Sequence, residues 1–256
     1  MTRKGSLVQS QYRPPFPQFN PREDATITSQ PVAVVTGANR GIGVEVCRQL
    51  AEHGFSVVLG SRDLAKGERA AEQLPDSVSA RQLDIADQAS VDAAAAWVAA
   101  RYGRCDALVN NAGVDYDTDA LAASADLARV HRAMETNLFG AWRTCLALLP
   151  LLRESPHGRI VNISSEEASL AEMGAGSPAY HVTKAALNAL TRTLAAELRE
   201  SGVLVNAASP GWTATDMGGI GGRPIAEGAA SIVWAVTLPD DGPTGGFFQD
   251  GQELAW

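Results

Sequence analysis

Short, unbroken apolar runs alternate with amphipathic stretches along most of this chain, and that alternation constrains its fold more than any other feature. Val32-Ala33-Val34-Val35-Thr36, Ser56-Val57-Val58-Leu59-Gly60, Ala107-Leu108-Val109-Asn110, Arg159-Ile160-Val161-Asn162-Ile163-Ser164 and Val203-Leu204-Val205-Asn206-Ala207 lack the in–out alternation of a half-exposed sheet. Runs of this kind read as strands buried on both faces. A strand-like segment from Ser77 to Leu83 and a last one over Gly245–Gln249 join them. Between them lie helix-like segments over Val44–His53, Leu64–Leu74, Ser90–Tyr102, Leu121–Glu135, Leu138–Arg153, Ala179–Glu200 and Ile225–Thr237. Gly202 stands just past the longest, the usual C-terminal stop, and Pro150 marks a late kink or end in Leu138–Arg153. Strands alternating with helices imply βαβ units with right-handed crossovers. The expected fold class is therefore α/β: one doubly wound parallel β-sheet flanked by helices on both faces, over residues 31–256.

Composition narrows the function. The 256 residues suit one large domain and leave no room for two comfortable ones. Lys and Arg total 21 against 29 Asp and Glu, a net charge of −8. That balance argues against a grip on nucleic-acid backbone or on an anionic membrane surface. No apolar run reaches the roughly 18–20 residues that span a bilayer. Residues 1–30 are polar, rich in Pro, Gln, Ser and Arg, and without periodicity or an apolar core. They read as a flexible N-terminal extension, not a secretory signal. Cys47, Cys105 and Cys145 form no CxxC or Cys/His cluster, and His53, His131 and His157 show no metal spacing. The expectation is reduced, buried thiols, no metal, and a cytoplasmic protein.

The segment Thr36-Gly37-Ala38-Asn39-Arg40-Gly41-Ile42-Gly43 follows the first strand and opens the first helix. Gly37 permits a tight turn, Gly41 lets backbone approach a pyrophosphate, and Gly43 lets helix and strand pack closely. Asn39, Arg40 and Ile42 complete the loop. The helix N-terminus behind it offers free N–H groups and the positive end of its dipole. A glycine turn can also be purely structural, but its place between strand and helix favours a Rossmann-like dinucleotide site.

The spacing TGxxxGxG, with Asn110-Asn111-Ala112-Gly113, Asn137, Ser164-Ser165, Tyr180-His181-Val182-Thr183-Lys184 and Pro210-Gly211 in order, resembles the short-chain dehydrogenase/reductase (SDR) family of the classical type. The resemblance covers about residues 31–256. Within the family, TGANRGIGVEVCRQL, the GSRD after the second strand and DGPTGGFFQDG are similar to carbonyl reductases. The chain departs from that group in lacking a long insertion before Tyr180.

Tyr180 and Lys184 are four residues apart and share one helix face. A cation near a phenol lowers its pKa from about 10, so Tyr180 would become a better general acid near neutral pH. The resemblance makes Tyr180 the proton donor to a substrate carbonyl and has Lys184 also hold the nicotinamide ribose. It gives a serine the task of orienting the carbonyl and stabilising the developing oxyanion. Ser165 is the choice, with Ser164 left open. Asn137 would perturb its helix and hold a water leading to Lys184. His181, next to Tyr180 in sequence, does not share its face.

At the end of the second strand the first charged residue is Arg62. An NAD site usually has an acid there for the ribose 2′-hydroxyl, whereas a guanidinium suits a 2′-phosphate. Arg62 and Arg40 therefore point to NADP(H), with Asp63 capping the next helix. By resemblance Asp84, with Ile85 beside it, lies near the adenine. Asn110, Ala112 and Gly113 wall the adenosine and ribose, and Pro210, Gly211 and Thr213 face the nicotinamide.

The substrate pocket belongs at the C-terminal strand ends, where Tyr116, Met173 and Trp212 fall on bordering loops. Glu166-Glu167 reads as a solvated loop, with a cationic substrate as the other reading. The partner expected is a small-molecule carbonyl compound reduced to an alcohol. Alcohol oxidation in a biosynthetic sequence and a non-catalytic NADP-binding sensor are the alternatives. The resemblance implies homo-oligomers, dimer or tetramer, through the long helix; the carbonyl-reductase-like features allow a monomer.

Overall fold

A computed structural model describes residues 29–256; all but the last two residues of the expected extension lie outside the described residues. Eight strands form one sheet in the order β3-β2-β1-β4-β5-β6-β7-β8. They are β1 (Val32–Val35), β2 (Ser56–Ser61), β3 (Val78–Gln82), β4 (Ala107–Asn110), β5 (Arg159–Ile163), β6 (Leu204–Ala208), β7 (Phe247–Gln249) and β8 (Gln252–Glu253). Neighbours from β1 to β7 pair parallel, and β8 turns back antiparallel on β7. Asp250 and Gly251 sit in the turn with φ of 51° and 76°, and an Asp-Gly pair suits a tight hairpin whose central residues need positive φ. The sequence reading stopped at Gln249 and passed over this hairpin.

Among the described residues seven α-helices flank the sheet: α1 (Gly41–Glu52), α2 (Leu64–Ala71), α3 (Gln88–Tyr102), α4 (Leu127–Met134), α5 (Ala141–Glu154), α6 (Pro178–Leu198) and α7 (Ile225–Val236). One buried cluster joins Val34, Leu108 and Ile160 to α3, α5 and α6. The other joins Val35, Val109 and Val161 to α1 and α7. Successive residues of each strand thus feed opposite layers, which is why the strands read as unbroken apolar runs.

Three expectations shift in detail. The helix expected from Leu121 starts at Leu127, because the Asp126 carboxylate accepts the Ala128 N–H and caps it there. The break expected near Thr136 is instead a π-helical segment, Glu135–Gly140, joining α4 to α5 without interruption. Pro150 lies inside α5, which runs on to Glu154. The stop at Gly202 stands as expected, with φ of 71° after a short 3-10 turn.

Candidate active site

The strand ends of β1 and β4 are stitched together. Thr36 Oγ1 accepts the N–H groups of Asn111 and Ala112 at 3.1 and 3.0 Å. Asn111 Nδ2 donates back to the Thr36 and Gly37 carbonyls at 2.8 and 3.0 Å. Asn111 stood in the quoted motif but not among the expected site residues; its work is to brace the glycine loop. Gly37 has φ of 60°, and a Cβ there would lie 2.8 Å from Ala112 Cα. Gly41 has φ of 58°, and a Cβ on Gly43 would lie 2.5 Å from Asn111 Nδ2. Arg40, at the start of α1, makes no side-chain cap, and among the described residues no side chain bonds the free N–H groups of that helix end. Gly37→Ala should therefore weaken nicotinamide-dinucleotide binding by at least about tenfold, through positive-φ strain and collision with Ala112. Equilibrium fluorescence titration measures it, and unchanged affinity would reject this account of the loop.

Next along the chain, Gly113 reaches the second half of the site. A Cβ on Gly113 would lie 3.5 Å from Lys184 Nζ and 3.6 Å from Asn137 Oδ1. The strip Ala112-Gly113 thus borders the glycine loop with one residue and faces Lys184 with the next. Lys184 is 4 % exposed, and its Nζ donates to the Ile163 carbonyl at 2.6 Å. Burial pushes its pKa down to about 8. Tyr180 lies one turn earlier on α6, with Lys184 Nζ 5.8 Å from its ring centroid.

The expectation that Lys184 lowers the Tyr180 pKa fails in this arrangement. Burial pushes the phenol up to about 12, opposed by hydrogen bonding with Ser165 and aided by the charge of Glu167 and by Tyr116. The ammonium is held away by Ile163, so desolvation of the phenolate dominates. The two serines separate cleanly. Ser164 is buried and donates to Asn188 Oδ1 at 2.6 Å, while Ser165 is only partly buried and lies beside Tyr180. Asn137 sits in the π segment. Its Oδ1 accepts the Val114 N–H at 2.8 Å, and its Nδ2 donates to the Val114 carbonyl and Thr183 Oγ1, each at 3.0 Å. It ties the loop after β4 to α6.

Two further groups hold this loop to Tyr180. Asp117, 1 % exposed, accepts the N–H groups of Ala179 and Tyr180 at 2.9 and 3.0 Å. It caps α6 in place of Ser177, which has φ of 44° and no side-chain cap. Tyr116 packs edge-on against Tyr180 with ring centroids 5.0 Å apart, and its hydroxyl donates to Glu167 Oε1 at 2.5 Å. Glu167 Oε2 lies 2.9 Å from His181 Nε2. Glu167 is thus tied into the site, against the solvated-loop reading; Glu166 is exposed, as that reading has it.

Other expected contacts depart in their side chains. The Asn110 amide is buried with Asn162 Oδ1 at 2.8 Å and Thr144 Oγ1 at 2.6 Å, so it organises the sheet interior and presents no side chain to a ligand. Ile85 packs into the core beneath Gly140, and its carbonyl accepts from Arg143. Asp84 is partly buried and accepts the Ala86 N–H at 3.1 Å. The Thr213 hydroxyl turns inward to the Pro210 and Gly211 carbonyls at 3.1 and 3.0 Å, against Gly228. Arg40 is paired with Asp216 at 2.7 Å, whereas Arg62 is exposed with no hydrogen bond or ion pair among the described residues. Asp63 caps α2 by accepting the Lys66 N–H, and Lys66 and Arg69 share a surface groove with Asn39. Trp212 is 63 % exposed with its indole N–H on the Gly218 carbonyl, and Met173 is partly buried in the loop before α6.

Comparison with known proteins follows the same geometry. The family model described as short chain dehydrogenase matches residues 31–220. Salutaridine reductase of Papaver bracteatum is 33 % identical over 305 residues, covering 90 % of this chain and 97 % of that protein. Carbonyl reductase [NADPH] 1 of Mus musculus is 36 % identical over 280 residues, covering 90 % and 99 %. The solved NADPH-bound carbonyl reductase from chicken fatty liver superposes with a TM-score of 0.78 at 27 % identity, covering 88 % of this chain and 98 % of that one. With its motifs in order on a doubly wound sheet and these relatives along nearly its whole length, the chain belongs to the short-chain dehydrogenase/reductase family, on its carbonyl-reductase-like side.

Proposed function

We propose that this protein reduces a ketone or aldehyde to the alcohol with NADPH, with Tyr180 as the proton donor. The observation that carries the reading is the strip Ala112-Gly113, which lies against Gly37 at one residue and against Lys184 at the next. A ligand running from the open end of α1 along that strip would arrive beside Tyr180. The glycine loop fits a dinucleotide: side chains are excluded where backbone must approach, and no side chain caps the helix end. Bound there, NADPH supplies the hydride that goes to the carbonyl carbon. Ser165 and the Tyr180 hydroxyl hold the carbonyl oxygen, and Tyr180 gives it a proton as negative charge develops. Lys184 keeps N–H groups beyond the one bound to Ile163, enough to hold ribose hydroxyls. Asn137 fixes the loop that borders Lys184.

The preference for the 2′-phosphate form rests on Arg62, exposed and unpaired among the described residues, with Asp63 beside it occupied as a cap and Lys66 and Arg69 in the groove with Asn39. Arg62→Ala should lower the NADPH-over-NADH ratio of kcat/KM by about tenfold, the loss of one charge-assisted contact. An unchanged ratio would show that another cation reads the phosphate. The first assay is NADPH consumption against aldehydes, ketones, ketoesters and quinones, with NADH alongside; no consumption with either cofactor despite NADPH binding would reject the reductase reading.

The buried, unpaired thiols of Cys47, Cys105 and Cys145 support residence in the reducing cytoplasm. Among the described residues no helix is long and apolar enough to cross a membrane. Phe139, Trp142 and Leu146 form an exposed apolar stripe around α5, and Val182 is exposed on α6; these support self-association as a dimer or tetramer.

A further inference from the structure

The charges around the reactive tyrosine are unbalanced. Asp117 is spent on the backbone N–H groups of Ala179 and Tyr180, and Glu167 is the carboxylate whose charge reaches the Tyr180 hydroxyl: it takes one hydrogen bond from Tyr116 and faces one His181 nitrogen, and its side chain is 40 % exposed. Among the described residues it pairs with no Lys or Arg. A carboxylate accepts about four hydrogen bonds, so each oxygen keeps capacity for a ligand. The cations near Tyr180 already have acids or are turned away. Arg129 holds both Asp115, the residue before Tyr116, and Asp119. Arg223, which lies against Gly211, holds Asp250 and Glu227. Arg40 holds Asp216. Lys184 is buried under Tyr180 and turned to Ile163.

We propose that Glu167 reads the charge of the substrate, so that the site takes neutral and, preferentially, cationic carbonyl compounds and discriminates against keto acids. The inference rests on the reductase reading and deepens it by naming a substrate class. A carbonyl oxygen held by Tyr180 sits in the field that the tyrosine itself feels from Glu167. A charged group a few ångströms further along the substrate is attracted or repelled by that carboxylate in a region of reduced dielectric, worth at least about tenfold in either direction. Aromatic faces of Tyr116 and Tyr180 beside a carboxylate add to the attraction for an ammonium group.

The test compares aryl methyl ketones bearing a para carboxylate, carboxamide or trimethylammonium group, with NADPH at low ionic strength. The wild type should favour the ammonium over the carboxylate ketone by at least about tenfold in kcat/KM, and Glu167→Gln should reduce that ratio by about tenfold. Taking the ratio cancels any general loss of activity in the variant. Glu166→Gln, which removes the same charge from the exposed neighbour, should keep the ratio within about twofold. A wild-type ratio near one, an unaltered ratio in Glu167→Gln, or an equal loss in Glu166→Gln would overturn the proposal. Should Glu167→Gln fail to fold, the wild type decides: its ratio should fall towards one with added salt, and a salt-independent ratio overturns it. Turnover of the carboxamide ketone tests the reductase reading separately; its absence sinks that reading and this inference with it.

Discussion

Replacing Tyr180 by phenylalanine should lower reduction by about 10²–10⁴-fold in kcat while NADPH still binds. The ring and its packing survive the change, because Tyr116 meets Tyr180 edge-on and contacts the ring. Only the hydroxyl is lost, and with it the proton and one holder of the carbonyl oxygen. The burial that raises the phenol to about 12 keeps it in the proton-bearing form across the neutral range, the form the proposed donor role requires. Single-turnover kinetics with pre-bound NADPH, together with a binding titration, measures both halves. Retained turnover would remove Tyr180 from the chemistry. Lost NADPH binding would instead mean that the substitution had disturbed the Lys184 side of the site.

Asp117→Ala should cost about 2–4 kcal/mol of stability, because it leaves two N–H groups of α6 unpaired. Ala179 is fully buried, so water cannot easily replace the carboxylate there. For a chain of this size the loss corresponds to a fall of roughly 5–15 °C in Tm. The effect should reach catalysis as well. One of the two N–H groups belongs to Tyr180, so freeing the first turn of α6 lets the tyrosine drift from Ser165. kcat should fall more than KM rises. Asp117→Asn keeps one acceptor and the shape, and should recover part of both losses. Calorimetry beside steady-state kinetics decides it; a Tm within about a degree of wild type would show that the cap is dispensable.

What sequence made legible was local. Tyr180 and Lys184 were readable because their spacing fixes a common helix face whatever surrounds them. The glycine loop was readable because strand, turn and helix follow in order. Asp117 was not, since it acts on a group distant in the chain, Ala179; of Glu167 the cationic-substrate alternative was legible, but its tie to Tyr116 was not. Asn110 misled for the opposite reason. Its motif marked the right strand end, but the direction of its amide depends on Asn162 and Thr144, which only the folded sheet brings near. The sign of the Tyr180 shift also lay beyond spacing, because it depends on burial and on where the Lys184 ammonium is anchored.

The π segment at Glu135–Gly140 has a consequence for how this chain can change length. A π turn takes one residue more than the α turn it replaces, so it absorbs that residue and leaves the helices on either side in phase. Here α4 packs on α6 while α5, continuous with it, packs on α3. Losing a single residue between Met134 and Ala141 would restore an ordinary helix with both packings kept, and would withdraw Asn137 from Val114. The loop of Ser169–Ser177 carries no such phase, and can grow or shrink without rephasing a helix. Length can therefore change before α6 without touching Asn137, while in the rod opposite the one residue that can be lost is tied to how Asn137 is presented.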